Sequence, residues 1–215
     1  MRRNASGTQY SEPTQIVPFG GILYDLAPER TAYASYAEIF NPQAYYKSGP
    51  APGKGLDPMH GSNTELGLKG ELLDGKLNTS IALYRVVQKD RAVLDTRYPM
   101  SETLFAGACC YVNAGKVVSQ GVDLEVSGEI AQGDNIYAGY TYNHNRDETE
   151  AAVFSTITPK HSFKFFGTWQ LPGRASAWKL GGGVTVNSKQ YVSGSAASWN
   201  ASGWGITTAS PATRG

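Results

Sequence analysis

The sequence predicts an all-β protein, an antiparallel up-and-down transmembrane β-barrel of which about eight strands are present. Three observations carry that expectation. Apolar and polar residues alternate with period two in one segment after another, as in strands whose two faces meet different media. Short and long connections alternate along the chain, which puts all the tight turns at one rim and all the long loops at the other. The strands run to about ten residues or more, enough to cross a bilayer at a tilt.

The first strand is expected at roughly 15–26, TQIVPFGGILYDL, with hardly any polar face, and the turn APER leads to a second at roughly 30–40. A long connection then reaches the third strand, roughly 63–73, where Leu66, Leu68 and Leu72 oppose Glu65, Lys69 and Glu71. Asp74-Gly75 marks a type I′ hairpin turn, because both central residues of that turn need positive φ. The fourth strand, roughly 76–88, is less regular, since Arg85 stands on its otherwise apolar side. After a second long connection the fifth, roughly 115–130, sets Val118, Val122, Leu124, Val126 and Ile130 against Ser119, Asp123, Glu125, Ser127 and Glu129. The turn AQGD leads to the sixth at roughly 134–146. The seventh, roughly 159–171, places Phe163, Phe165, Trp169 and Leu171 opposite Ser162, Lys164, Thr168 and Gln170, with Phe166 intruding on the polar side. The turn PGRASA and an eighth strand at roughly 177–191 complete the pattern. Tyr24, Tyr33, Tyr84, Trp169 and Trp178 lie near strand ends, where aromatic girdles form.

Lipid offers no hydrogen-bond partners, so strands cross it only where every backbone group pairs with a neighbour. Two other architectures share the alternation. One is a stand-alone eight-stranded outer-membrane barrel with a structural or adhesive role. The other is a soluble β-sandwich binding carbohydrate through its loop aromatics, whose connections need not alternate in length.

The 215 residues are 40% hydrophobic and 17% charged, with 19 basic residues against 18 acidic ones. That balance suits neither a nucleic-acid arm nor a polybasic membrane patch. No apolar run approaches the length of a transmembrane helix, and Arg2-Arg3 has no apolar stretch behind it, unlike a signal peptide. Residues 1–14 are expected to be a disordered extension, 15–191 a partial barrel and 192–215 a loop-like tail.

Chemistry-bearing motifs are scarce. GPAPGKGL has one residue too few before Gly53-Lys54 for a phosphate loop, and Gly55 stands where a magnesium-binding hydroxyl belongs. Asp123, Glu125 and Glu129 read as a charged wall rather than an acid–base pair. His60, His144 and His161 lack metal-ligand spacing. Cys109 and Cys110 are expected to be two ordinary loop residues, with a vicinal disulfide as the alternative. No catalytic residue, resident metal or cofactor is expected.

The long connections are more informative. One carries Tyr36, Phe40, Tyr45 and Tyr46, and another Arg97, Tyr98, Phe105 and Tyr111, so flat aromatic surfaces accompany a cation at the long-loop rim. Such groups suit a bulky ligand with apolar and anionic parts. The strand register adds Tyr36, Phe40 and Asn143 as inward-facing near that rim, with Lys160 at the mouth of the seventh strand.

The stretches AYASYAEIFNPQ, LDPMHGSNTELGLKGELLDGKLNTSIALYR, SQGVDLEVSGEIAQGDNIYAGYTYNHNRD and ITPKHSFKFFGTWQLPG resemble the TonB-dependent ferric-siderophore receptors, in particular those for hydroxamate siderophores of the coprogen kind and pyoverdines. The resemblance covers most of residues 16–191. It implies a barrel of about 22 strands with a plug inside, of which these strands are roughly a third. It further implies an outer-membrane location with extracellular long loops, a ferric siderophore as ligand, and a TonB complex acting through a plug segment that this sequence does not contain. No nucleic-acid partner is implied. The tail does not resemble the strands expected next, so the chain reads as an internal or truncated piece, not competent for transport alone.

Overall fold

The computed structural model describes residues 14–50, 53–98, 109–149 and 158–190, together with the backbone of residues 191–192, Arg2–Arg3, Gln9–Tyr10, Trp199–Ala201 and Trp204–Thr208. One antiparallel sheet dominates. Its strands are β1 (Phe19–Ala27), β2 (Arg30–Asn41), β3 (Met59–Leu72), β4 (Leu77–Leu94), β5 (Tyr111–Ala131), β6 (Asp134–Asp147), β7 (His161–Gln170), β8 (Lys179–Asn187) and β9 (Trp204–Thr208). Each pairs with the next in sequence, an unbroken up-and-down meander of nine strands. Two-residue and three-residue ladders, Arg2–Arg3 with Gln9–Tyr10 and Gln190–Val192 with Trp199–Ala201, stand apart from it.

The expected hairpins are present. In the turn between β3 and β4, Asp74 and Gly75 have φ of 55° and 82°, and the Lys76 N–H donates to the Leu73 carbonyl at 3.3 Å. Both central residues therefore occupy the left-handed region a type I′ turn demands, which glycine enters without a Cβ penalty. The tail corrects the expectation of a loop: WGITT pairs antiparallel with β8 from Val186↔Trp204 to Gly182↔Thr208. Five residues amid Ser, Ala and Gly are too short a run to show period two above noise.

The two faces of the sheet differ sharply. One ladder row reads Ala32, Leu68, Ile81, Leu124, Tyr140 and Phe163, and its neighbour Ala34, Leu66, Leu83, Val122 and Tyr142. The opposite face carries Thr31, Lys69, Ser80, Glu125, Gly139 and Lys164 in one row. On the apolar face Ile22, Leu66, Leu83, Trp169 and Leu180 are each more than half exposed, and no second sheet covers them among the described residues. A soluble sandwich would bury that face, so the sandwich alternative fails. The sheet is open at β1 and β9 among the described residues, which does not match a closed eight-stranded barrel.

On the polar face Tyr33 and Tyr84 lie over the opposing Gly67 and Gly121, where any Cβ would collide with the rings. This is the cross-strand arrangement in which an aromatic covers a glycine. The Tyr33 hydroxyl donates to Glu65 Oε1 at 2.5 Å, and Lys69 Nζ lies 5.2 Å from the same ring's centroid. Tyr33 and Tyr84 thus belong to the polar face rather than to an outward girdle. Tyr24 and Trp169 do sit on the apolar face, in register with Ala32 and Leu180. Phe166 intrudes on the polar face as expected, opposite Tyr137 and Gly183.

Candidate functional site

A cap of loops closes the end of β2 to β5 where the long connections lie. Strands β4 and β5 extend past their neighbours, and a register shift at Gln88/Arg91, with Asp90 at φ 59°, turns the Asp90 carbonyl out of the ladder. Gln43, buried to 8% exposure, uses that opening: its Nε2 donates to the Asp57 carbonyl at 2.8 Å and to that of Asp90, and its Oε1 accepts from the Ala92 N–H at 3.0 Å. Asn113 Nδ2 donates to the same two carbonyls, both at 2.8 Å. Two side-chain amides thereby tie three segments together.

Low exposure at this end of the sheet is found at Leu56, Met59, Cys109, Cys110, Val117 and Val118, with Val117 on the polar face and Val118 on the apolar one. Cys109 and Cys110 are joined as a vicinal disulfide and are wholly buried, which corrects the reading of two ordinary loop residues. The pair is part of the cap's framework: the Cys110 carbonyl accepts from the Asp95 N–H at 3.1 Å, and the Tyr111 N–H donates to the Lys47 carbonyl at 2.8 Å. Adjacency alone could not distinguish a bonded pair from two free thiols, and the pair's surroundings come from far along the chain, with Cys109 bridged to Lys47 and its sulfur near the Ser48 carbonyl 61 positions away.

Several aromatics expected at this rim do meet here. The Tyr46 ring stands 4.7 Å from that of Tyr111 and 5.6 Å from that of Tyr45, and Tyr45 is 70% exposed. Tyr98 packs its ring against Gly49 of the first loop. Arg97 is held in a fork: Nε donates to Asp95 Oδ1 at 2.8 Å and Nη2 to Oδ2 at 2.6 Å. The Asp95 carboxylate is only 6% exposed, whereas the Arg97 side chain is 76% exposed, so a buried acid aims an outward cation. Arg97's hydrogen bond, then its charge, hold the Asp95 carboxyl below its ordinary value against desolvation, and Asp95 raises Arg97 in return. Phe105 lies outside the described residues.

The remaining predicted residues are placed differently. Asn143 faces the polar side, in register with Gly121, and its buried Oδ1 has no hydrogen-bond partner. Tyr36 and Phe40, expected to face inward, instead share the apolar face, in register with Thr64 and His60 and in line with Leu66. Tyr36 is 45% exposed and Phe40 makes an edge contact with His60 at 5.7 Å. The cause is β2 itself: Ala32, Ala34 and Ala37 give neither face a distinctive polarity, so its phase cannot be read alone. Lys160 sits at the mouth of β7, but its Nζ lies 5.7 Å from the outward-facing Tyr142 ring. Gln43, Asn113, Asp95 and the disulfide were missed as site-building residues. Only their place in the long loops could have flagged them.

Among the described residues no group of three or more His, Cys, Asp or Glu is arranged to hold a metal ion.

Residues 2–212 match the family described as TonB dependent receptor-like, beta-barrel. A ferric-pyoverdine receptor from a Pseudomonas strain is 38% identical over 190 residues, which is 86% of this chain and 22% of that protein. The ferripyoverdine receptor of the outer membrane of Pseudomonas aeruginosa, solved with ferripyoverdine bound, superposes with a TM-score of 0.73 at 33% identity, over 92% of this chain and 26% of that one. The alcaligin outer-membrane receptor of Bordetella pertussis superposes with a TM-score of 0.70 at 34% identity, over 89% of this chain and 32% of that one. This chain thus spans between about a fifth and a third of the length of these relatives. The meander, its two-faced strands and its loop cap are those of a barrel wall, and the chain belongs to the TonB-dependent receptor β-barrel family.

Proposed function

We propose that this chain forms part of the wall and rim of an outer-membrane receptor that binds a ferric siderophore of the pyoverdine or hydroxamate kind and imports it. The TonB complex supplies the energy by acting on a plug segment outside this sequence. The observation that supports the reading most is the cap, which presents Tyr45, Tyr46, Tyr111 and the buried-acid-oriented Arg97 above a sheet related to ferric-pyoverdine receptors. Flat rings and a fixed guanidinium suit a chelate with aromatic and anionic parts. Iron is cargo carried within the chelate in this reading. The chain has no catalytic role and needs no cofactor of its own.

Binding of a ferric pyoverdine-type chelate to the receptor carrying this segment tests the reading. Tyr45→Ala and Arg97→Gln are each expected to weaken it about tenfold, or about 1.4 kcal/mol, with Arg97→Lys retaining more. Unchanged affinity in both Tyr45→Ala and Arg97→Gln would remove the cap from the site.

The long loops face the cell exterior and the tight turns the periplasm. A membrane-impermeant maleimide should label Lys54→Cys on intact cells and leave Lys76→Cys untouched until the outer membrane is breached; both positions are exposed and the native cysteines are bonded and buried. The opposite labelling pattern would invert the orientation.

A further inference from the structure

The cap's outward-facing groups come from three stretches, 43–48, 95–98 and the start of β5 at Tyr111, and the Cys109–Cys110 disulfide lies where the three meet. On one side Lys47 pairs with Cys109 in a parallel bridge, and the Tyr111 N–H donates to the Lys47 carbonyl at 2.8 Å. That pairing lays the segment of Tyr45 and Tyr46 beside the start of β5 and brings the Tyr46 ring to 4.7 Å from that of Tyr111. On the other side the Asp95 N–H donates to the Cys110 carbonyl at 3.1 Å. Asp95 then closes a turn on itself: its carbonyl accepts from the Tyr98 N–H at 3.1 Å and its Oδ1 from the Arg97 N–H at 3.1 Å, while the same carboxylate holds the guanidinium. The aromatic pair and the cation therefore hang on neighbouring residues, one through Cys109 and the other through Cys110.

A bond between adjacent side chains closes a ring around the peptide link that joins them, so the two residues cannot turn independently. The direction in which Cys109 meets Lys47 is thereby fixed relative to the direction in which Cys110 meets Asp95. Without the bond the same geometry rests on single backbone hydrogen bonds, each a modest net contribution, set against the conformational freedom that two unbonded residues regain. Both cysteines are wholly buried, so the disulfide touches no ligand itself. It acts through the groups it carries.

We infer that the Cys109–Cys110 disulfide is the positioning element of the ligand surface, setting the Tyr46–Tyr111 pair and the Arg97 guanidinium at one spacing, so that a chelate with aromatic and anionic parts binds tightly only while the bond is intact. The inference rests on the reading of the cap as a siderophore site. Linkage makes the relation mutual: the factor by which reduction weakens chelate binding is the factor by which bound chelate disfavours reduction. A dithiol is the reductant. One of its thiolates attacks a sulfur of the pair, its second thiol resolves the mixed disulfide, and two electrons and two protons leave Cys109 and Cys110 as thiols and the reagent as a cyclic disulfide.

The receptor carrying this segment, purified in non-ionic detergent, is titrated with the gallium form of a pyoverdine-type chelate, whose metal a dithiol does not reduce, before and after equilibration with dithiothreitol. Reduction is expected to weaken binding about tenfold, and bound chelate to raise the dithiothreitol concentration for half-reduction by the same factor. Cys109→Ser/Cys110→Ser should bind as weakly as the reduced protein and ignore the dithiol; if that variant does not fold, the reduced wild-type protein carries the test. Reduction and Arg97→Gln together should cost about 20- to 30-fold, short of the roughly hundredfold product, because the guanidinium that reduction displaces is already gone. A bond that merely stabilised the loops would give the full product. Equal affinity in the oxidised and reduced states, or full additivity with Arg97→Gln, would overturn the inference. Hydrogen exchange without chelate is read on the same samples: the Asp95 and Tyr111 amides should quicken on reduction while those of Leu68 and Leu124 do not, and unchanged exchange at Asp95 and Tyr111 overturns the inference whatever the chelate does. Quickened exchange in a receptor whose oxidised form binds no chelate sinks the uptake reading alone.

Discussion

Replacing Ile81 by arginine should lower the stability of the membrane-inserted barrel by roughly 2–4 kcal/mol, the cost of a cation on the lipid face near the middle of the bilayer. Ile81 lies between Leu68 and Leu124 across the ladder and is 41% exposed on the apolar face. Along β4 that face runs Leu77, Thr79, Ile81 and Leu83 before Arg85, so position 81 lies four residues from Leu77 at one end and four from Arg85 at the other. An arginine there cannot bring its guanidinium to either interface without distorting the sheet or thinning the lipid. Ser80, one residue away, faces the other side between Lys69 and Glu125, where a cation gains Glu125 as well as meeting Lys69. Ser80→Arg should therefore change stability by less than about 1 kcal/mol. Equilibrium unfolding in guanidinium of the receptor carrying this segment, inserted in phosphatidylcholine vesicles, measures both variants. Equal penalties would mean that the two faces are wrongly assigned.

The same adjacency shows why most of the fold was legible in the sequence and part of the site was not. In the middle of β3, around Leu66 and Leu68, and of β5, from Val122 to Val126, apolar and polar residues alternate, because one side must satisfy lipid and the other polar surroundings, so phase and register follow from composition alone. In β2 the alanines are acceptable to both media, and Tyr36 and Phe40 could be assigned to the correct face only from their pairing with Thr64 and His60. β9 escaped because five residues beside a well-marked strand need not carry a pattern of their own; the β8 edge supplies the backbone partners. Arg85 carried information in the opposite sense. It was visible as a break in alternation, and in the structure it stands in a row with Tyr36, Thr64, Gln120 and His144, where four of the five strands change from apolar to polar side chains on that face before Val87 and Val118 follow one row on.

The cap depends on contacts of a kind that sequence does not encode locally, and its keystone carries the second large effect. Gln43→Ala should raise the free energy of the closed cap by about 2–3 kcal/mol, since it removes three hydrogen bonds and leaves the Ala92 N–H without its acceptor in a buried setting. The carbonyls of Asp57 and Asp90 keep Asn113 as a donor, which is why the loss stays below the sum of three orphaned groups. Because Gln43 touches the loops and the ends of β4 but not the sheet rows below, the opening should be local. Hydrogen exchange at the Ala92 amide should then quicken about 30- to 150-fold while amides near Leu68 and Leu124 keep their protection. Asn113→Ala should be milder alone and more than additive with Gln43→Ala, since the pair then leaves both carbonyls bare. Gln43 also accepts the Tyr46 N–H on its own carbonyl at 2.9 Å, so the backbone that carries Tyr46 towards Tyr111 is anchored at the same residue. Chelate affinity should fall with the cap's closure in Gln43→Ala, and a variant with fast Ala92 exchange but unaltered affinity would show that the aromatics at the rim act without the cap that positions them.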